Sequence, residues 1–171
     1  ELFKDLDACL HNHPFEHALT ANVGTAALET MRIDFFGTTA HAGTSPWLGR
    51  SAVHAAELFA IGVNLMRERL EPTARVHYVY ESAGLAPNIV PDYAHIWLVS
   101  RNADRERVRK TSGWLTQIAQ MAALAIQTRA EVMIYFGLYD LLPNTPLAQQ
   151  MQKHLERVGV PQWTEEEQVF A

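Results

Sequence analysis

The fold of this chain is decided by two stretches, TMRIDFFG at residues 30–37 and LGRSAVHAAELFAIGVNLMRERL at residues 48–70. In the first stretch apolar side chains alternate with polar ones, which is the pattern of a β-strand with one buried face. In the second stretch apolar residues recur every three or four positions, which is the stripe of an amphipathic helix. The sequence therefore predicts a strand, a loop and a helix that Pro72 ends.

The same reasoning, extended along the chain, predicts three more strands and a second long helix. The strands lie at about residues 73–81, 92–101 and 131–136. Both faces of the strand at 92–101 are apolar, which is typical of an interior strand. Asn102 or Asp104 can cap the helix that follows it. The order β-α-β-β-α-β over residues 29–137 predicts a ferredoxin-like α+β sandwich, with two helices on one face of a four-stranded antiparallel sheet.

Residues 1–28 and 138–171 lie outside this predicted unit. The first segment favours a short helix followed by a loop, and the second favours a helix capped by Thr145 that ends at Gly159. When a small domain is inserted into a larger one, both of its ends run back into the larger body. We therefore expect the two segments to be partial arms and the chain to be a piece of a longer protein.

Composition limits the classes of partner and compartment. The chain has 171 residues, enough for one domain with a real core, and 48% of them are hydrophobic. A formal net charge of −5 argues against nucleic acid or an anionic membrane as a partner. No apolar run is long enough to span a bilayer. The lone Cys9 cannot form an intramolecular disulfide, which favours the reducing cytoplasm.

Two loops carry the side chains of greatest chemical interest. His41 follows the first strand and lies between small residues, so a ligand can approach its imidazole. The imidazole can then donate a hydrogen bond to an oxyanion that develops on the ligand. The alternative is that His41 is a surface histidine with no function. Asn88 lies in a loop that Pro87 and Pro91 stiffen, which suits an amide that must be held in one place. The alternative there is an ordinary connection between two strands.

An arginine and a group of histidines are further candidate ligands. Arg101 ends the third predicted strand, where a guanidinium can bind a carboxylate, although a solvated surface arginine is the commoner explanation. His11, His13 and His17 cluster near the N-terminus, and histidine is a frequent metal ligand. A complete site normally requires further ligands at recognised spacings, so a full metal site within this chain is not predicted.

Taken in order, several motifs resemble one known family. They are FGTTAHA at 36–42, PWLGRSA at 46–52, NIVPD at 88–92, Arg101, and YDLLPN at 139–144. This series resembles the aminoacylase and carboxypeptidase G superfamily of metal-dependent amidohydrolases. Within that superfamily, HAGTSPWLGR at 41–50 is similar to the branch formed by the B subunits of p-aminobenzoyl-glutamate hydrolase.

The resemblance implies a division of labour. Residues 29–137 would be the lid and dimerisation domain, residues 1–28 the end of the first catalytic half, and residues 138–171 the start of the second. The whole enzyme would hold two divalent ions, zinc or manganese, and would cleave the amide bond of an N-acyl or N-aroyl amino acid. It would form a homodimer through the lid, and a second, homologous chain is a further candidate partner.

The resemblance also implies roles for individual residues. His41 would reach into the partner's active site and polarise the scissile carbonyl, Asn88 and Arg101 would contact substrate, and His13 would be a metal ligand. Because the other ligands would lie outside residues 1–171, we expect the chain by itself to retain no metal and to be inactive. The competing hypothesis is a stand-alone ferredoxin-like module that binds a small ligand or dimerises.

Overall fold

A computed structural model describes residues 3–13 and 19–170 of the chain. The chain divides into two compact units. The larger unit is Gly24–Leu142, and the smaller combines Glu1–Val23 with Pro143–Ala171.

The larger unit is a four-stranded antiparallel sheet with two helices. Its strands stand in the order β2-β3-β1-β4, which makes β1 and β3 the interior strands. The predicted ferredoxin-like α+β fold and the interior position of the third strand are therefore confirmed. In chain order the elements are β1 (Ala27–Phe36), α1 (Ala52–Arg67), β2 (Arg75–Ala83), β3 (Tyr93–Asn102), α2 (Arg105–Ala125) and β4 (Arg129–Leu138).

The core lies between the sheet and the two helices. Met31, Ile33 and Phe35 of β1 point to one face and are fully buried, as the alternation in the sequence predicts. Phe35 packs on Phe59 of α1 with 6.0 Å between ring centroids. Burying a side chain of this size contributes about 1.5–3 kcal/mol. The opposite face of the sheet, which we call the open face, carries Arg32 and Asp34 of β1 together with exposed apolar residues such as Trp97 of β3.

The first helix begins later than predicted. Residues 46–48 form a separate 3₁₀ turn, and α1 begins at Ala52, where the Ser51 side chain accepts a hydrogen bond from the His54 N–H. The residue after the 3₁₀ turn, Gly49, allows a close approach, since a Cβ there would lie 2.9 Å from the Cβ of Val90. The helix also ends at Arg67, short of the predicted position 70.

The second helix is capped by one of the two predicted residues. The side chain of Asp104 accepts a hydrogen bond from the backbone N–H of Arg107 at 2.9 Å. Asn102 is instead the last residue of β3, where its side-chain oxygen accepts hydrogen bonds from the Thr73 hydroxyl and the Ala103 N–H. Asp104 is therefore the N-cap of α2.

Among its described residues, the smaller unit contains two helices, α3 (Thr145–Val158) and α4 (Glu165–Phe170). Asn144, rather than the predicted Thr145, caps α3 by accepting a hydrogen bond from the Leu147 N–H. Helix α4 was not predicted. A signal for its start is nevertheless present in the sequence, because Thr164 and Glu167 form a reciprocal capping box.

The helix predicted near the N-terminus is not formed within residues 3–13, which hold only a turn closed by the Leu6 N–H and the Phe3 carbonyl. Phe3, Leu6 and Leu10 are exposed in that segment, so burial of an apolar face does not stabilise a short helix there. In the described part of the chain, no helix is long and apolar enough to cross a membrane.

Candidate functional site

The two loops that carry His41 and Asn88 lie at the same end of the sheet and are joined through their backbones. The first loop leaves β1 after Phe36, and the second precedes β3. The Val90 N–H donates to the Ala40 carbonyl at 2.9 Å, and the Ala42 N–H donates to the Asn88 carbonyl at 2.9 Å. His41 is paired with Ile89 as an isolated antiparallel bridge. The structure therefore brings the segments of His41 and Asn88 side by side.

Close packing of backbone on backbone holds the first loop in place. Thr38 and Arg50 exchange two backbone hydrogen bonds of 2.8 and 2.9 Å, which folds the loop back on itself. Gly37 lies directly against this pairing, because a Cβ at that position would lie 1.9 Å from the Arg50 carbonyl oxygen. No larger residue fits there without moving the chain. The loop that presents His41 is therefore well supported at its base.

The imidazole of His41 is exposed, and one of its nitrogens is bound within its own turn. Its Nδ1 lies 3.2 Å from the backbone nitrogen of Gly43 and 3.1 Å from that of Thr44. The Thr44 hydroxyl lies 2.8 Å from the same nitrogen. Asn88 is exposed as well. Both side chains are thus available to a group approaching this end of the sheet.

Arg101 lies at the other end of the sheet. It is exposed, stands one residue before the end of β3, and has Leu28 and Arg75 as cross-strand neighbours. The eight residue steps along β3 from Tyr93, beside the loop of Asn88, to Arg101 span roughly 26 Å at about 3.3 Å per residue. Within one chain the structure therefore brings His41 and Asn88 together but does not bring Arg101 to them.

The surroundings of Arg101 are electropositive. Burial lowers the pKa of the nearby His77, and the positive charges of Arg101 and Arg67 lower it further. Arg75 adds a third guanidinium on the neighbouring strand. A carboxylate is the ligand class that suits such a region.

A polar network that the sequence did not predict lies on the open face of the sheet. Arg32 donates to both carboxylate oxygens of Asp34 at 2.8 and 3.0 Å, and the Tyr93 hydroxyl donates to Asp34 at 2.5 Å. Burial opposes ionisation of Asp34, but the hydrogen bonds from Arg32 and Tyr93 outweigh it and lower the pKa of that carboxyl. The network fixes Tyr93, the first residue of β3 after the loop of Asn88. The only sequence signal for it was a charged pair spaced two apart on one strand.

The described residues do not form a metal centre. Within residues 3–13 and 19–170, no three His, Cys, Asp or Glu side chains stand close enough together to hold an ion. His13 is exposed in the smaller unit, as is His11, whereas His17 lies outside the described residues. The donor set in this part of the chain does not fit a two-metal site, so no catalytic step through a metal is assigned to it.

These features define a class: a small ferredoxin-like α+β domain whose polar loop residues face outward. The chain belongs to the peptidase dimerisation domain family, whose model matches residues 23–127. This assigns it to a hydrolase family of peptidases and amidohydrolases, as the motifs in the sequence predict.

Two curated relatives illustrate the match. The chain is 36% identical over 171 residues to the B subunit of p-aminobenzoyl-glutamate hydrolase from Escherichia coli (strain K12), covering 99% of this chain and 36% of that protein. It is 25% identical over 162 residues to the Xaa-Arg dipeptidase of Mus musculus, covering 92% of this chain and 37% of that protein. The chain therefore spans a little over a third of the length of these relatives.

Solved structures share the fold. An aminobenzoyl-glutamate utilization protein from Klebsiella pneumoniae superposes with a TM-score of 0.64 at 23% identity, over 80% of this chain and 35% of that one. An amidase of the hydantoinase/carbamoylase family from Burkholderia vietnamiensis superposes with a TM-score of 0.68 at 18% identity, over 80% and 33%. At these identities the likeness concerns the fold alone.

Proposed function

We propose that this chain is the lid segment of a metal-dependent amidohydrolase that cleaves the amide bond of an N-acyl or N-aroyl amino acid such as p-aminobenzoyl-glutamate. The observation that carries the proposal is the pairing of the His41 and Asn88 loops at one end of a peptidase dimerisation domain. The 36% sequence identity to the B subunit of Escherichia coli p-aminobenzoyl-glutamate hydrolase, over 99% of this chain, supports this substrate class.

Residues 29–137 form the lid, residues 1–28 end the first half of a catalytic domain, and residues 138–171 begin the second half. Enzymes of this family are generally metal-dependent. Two zinc or manganese ions would be held mainly by residues outside this chain, with His13 as one ligand. The compartment would be the cytoplasm, which suits the exposed thiol of Cys9.

The lid residues stabilise the substrate as water adds to its carbonyl carbon. Negative charge develops on the carbonyl oxygen, the C–N bond then breaks, and the amine leaves with a proton. His41 donates a hydrogen bond to that oxygen, and its effect is largest in the transition state, where the charge is greatest. The Asn88 amide orients the substrate beside it. In the whole enzyme, bound metal ions would supply the activated water.

In the proposed dimer, the His41 and the Arg101 of one chain contribute to two different active sites. A small acyl-amino acid cannot reach from the start of β3 at Tyr93 to Arg101, a separation of roughly 26 Å. In a homodimer, the His41 and Asn88 loops of one protomer would complete one active site, and its Arg101 would hold the substrate carboxylate in the other. The proposed enzyme is therefore active only as a dimer.

The dimer would form through the edge of β2. The chain enters and leaves β2 within the larger unit, through a turn after α1 and the loop that carries Asn88. By contrast, the chain leaves the unit directly after β4, where a catalytic body would be attached. Two copies that pair β2 with β2 would form one continuous sheet with a twofold axis at its centre.

Replacement of His41 in the full-length enzyme tests the proposed function. His41→Ala should reduce turnover of p-aminobenzoyl-glutamate by about 100-fold or more, the effect of losing an oxyanion donor, with thermal stability unchanged. His54→Ala, which removes an exposed imidazole from α1 of the same unit, serves as the matched control. Full turnover by His41→Ala would contradict the proposal and would leave dimerisation alone as the role of this domain.

A further inference from the structure

The Nδ1 atom of His41 faces three donors that belong to the turn immediately after it. The backbone N–H groups of Gly43 and Thr44 donate to Nδ1 from 3.2 and 3.1 Å, and the Thr44 hydroxyl lies 2.8 Å away. A backbone N–H can only donate, so Nδ1 must present its lone pair to both. A proton on Nδ1 would face the two N–H protons, and neither N–H group could then donate to the ring.

The turn that supplies these donors is fixed on both sides. The N–H groups of Thr44 and Ser45 approach the His41 carbonyl oxygen at 3.3 and 3.0 Å, which closes the turn. On the other side, the Ala42 N–H is bound to the Asn88 carbonyl. The imidazole is therefore oriented by residues of its own loop, and that loop is anchored to the loop of Asn88.

From this geometry we infer that Thr44 is a positioning residue, which holds His41 in the tautomer that carries its proton on Nε2 and directs that N–H outward. The inference rests on the proposed function, in which His41 donates a hydrogen bond to the substrate carbonyl. An Nε2–H group stabilises a developing oxyanion, whereas the opposite tautomer would present a lone pair to it. Thr44 thus acts through His41 and need not touch the substrate.

Nitrogen NMR on the 171-residue chain tests the inference without any catalytic activity. Long-range ¹H–¹⁵N correlation spectra at alkaline pH should show Nε2 of His41 protonated and Nδ1 as a hydrogen-bonded lone pair. Exposed His154 of α3 provides an internal reference. In Thr44→Val the Nδ1–H tautomer should increase about threefold to tenfold, the factor set by one ordinary hydrogen bond, so the averaged Nδ1 resonance should move upfield, towards that of a protonated ring nitrogen.

Two further variants separate the hydroxyl from other effects. Thr44→Ser keeps a hydroxyl and should restore the wild-type spectrum. Gly43→Ala keeps every donor, since its added Cβ would lie 3.5 Å from the imidazole Cε1, an ordinary contact, and should also match wild type. An Nδ1-protonated ring in the wild-type chain, or an unchanged Nδ1 resonance in Thr44→Val, would overturn the inference.

Kinetics of the full-length enzyme distinguish failure of this inference from failure of the proposed function. Thr44→Val should lower kcat by no more than the share of His41 that moves to the Nδ1–H tautomer, with little change in KM, and Thr44→Ser should recover it. If the spectra behave as expected but His41→Ala is fully active, the proposed function fails while the positioning of the ring stands. If His41→Ala is inactive but Thr44→Val alters neither spectrum nor kcat, the positioning role fails alone.

Discussion

Val79 and Met133 lie at the two ends of one cross-strand row on the open face of the sheet. The row runs from Val79 on β2 through Trp97 and Arg32 to Met133 on β4. The two end residues are almost equally exposed, at 53% and 51%. Substitutions at these two matched positions therefore test which edge of the sheet, β2 or β4, contacts a second copy of the chain.

A glutamate introduced at Val79 should dissociate the dimer. Near the twofold axis of a β2–β2 interface the new carboxylate would face its own copy, and like charges directly opposite each other destabilise a sheet. Light scattering coupled to size-exclusion chromatography should show a monomer for Val79→Glu and a dimer for Met133→Glu. The reverse result would place the interface at the β4 edge.

The loop of His41 should tolerate no side chain at position 37. Gly37→Ala would place a Cβ against the Arg50 carbonyl and should lower the free energy of unfolding by about 1–3 kcal/mol. Gly113→Ala, at an exposed position in the middle of α2, is the control. A Cβ there meets nothing within 4 Å, so this variant should raise the free energy of unfolding by about 0.5–1 kcal/mol. Chemical denaturation measures both. Equal stability of Gly37→Ala and wild type would show that the loop is not packed as described.

The Asp34 network should make stability depend on pH. The pKa of the Asp34 carboxyl is lower in the folded protein than in the unfolded chain. The stabilisation is therefore fully present above the unfolded pKa, and it is lost as the pH falls through the lower, folded pKa. Asp34→Asn should therefore melt several degrees below wild type at neutral pH, and the difference should shrink in acid. The exposed Glu57→Gln on α1 is the control. A difference in melting temperature that is constant with pH would rule out this contribution of Asp34.

The sequence was sufficient to predict the sheet but not the contacts between its loops. Alternation at Met31, Ile33 and Phe35 is a local pattern, and the structure buries those residues. The pairing of His41 with Ile89 joins segments far apart in sequence, so no spacing in the chain encodes it. The Arg32–Asp34–Tyr93 network is hidden for the same reason, because its third member comes from another strand.

The incorrect helix boundaries also have physical causes. The stripe at residues 48–70 is helical in period throughout, yet α1 spans only Ala52–Arg67. Its start is displaced because Gly49 packs against Val90, a tertiary contact that the pattern does not contain. At α3, Asn144 and Thr145 are both good capping residues, so the sequence alone could not decide between adjacent positions.

The most direct test of the account uses mixed dimers of two inactive full-length enzymes, His41→Ala and Arg101→Ala. If the loops of one protomer and Arg101 of the other complete each active site, a mixed dimer keeps one intact site. Random mixing should then recover about a quarter of wild-type turnover, because half of the dimers are mixed and half of their sites are intact. No recovery, with mixed dimers shown to form, would contradict the account, because His41 and Arg101 would then act in the same site from the same chain.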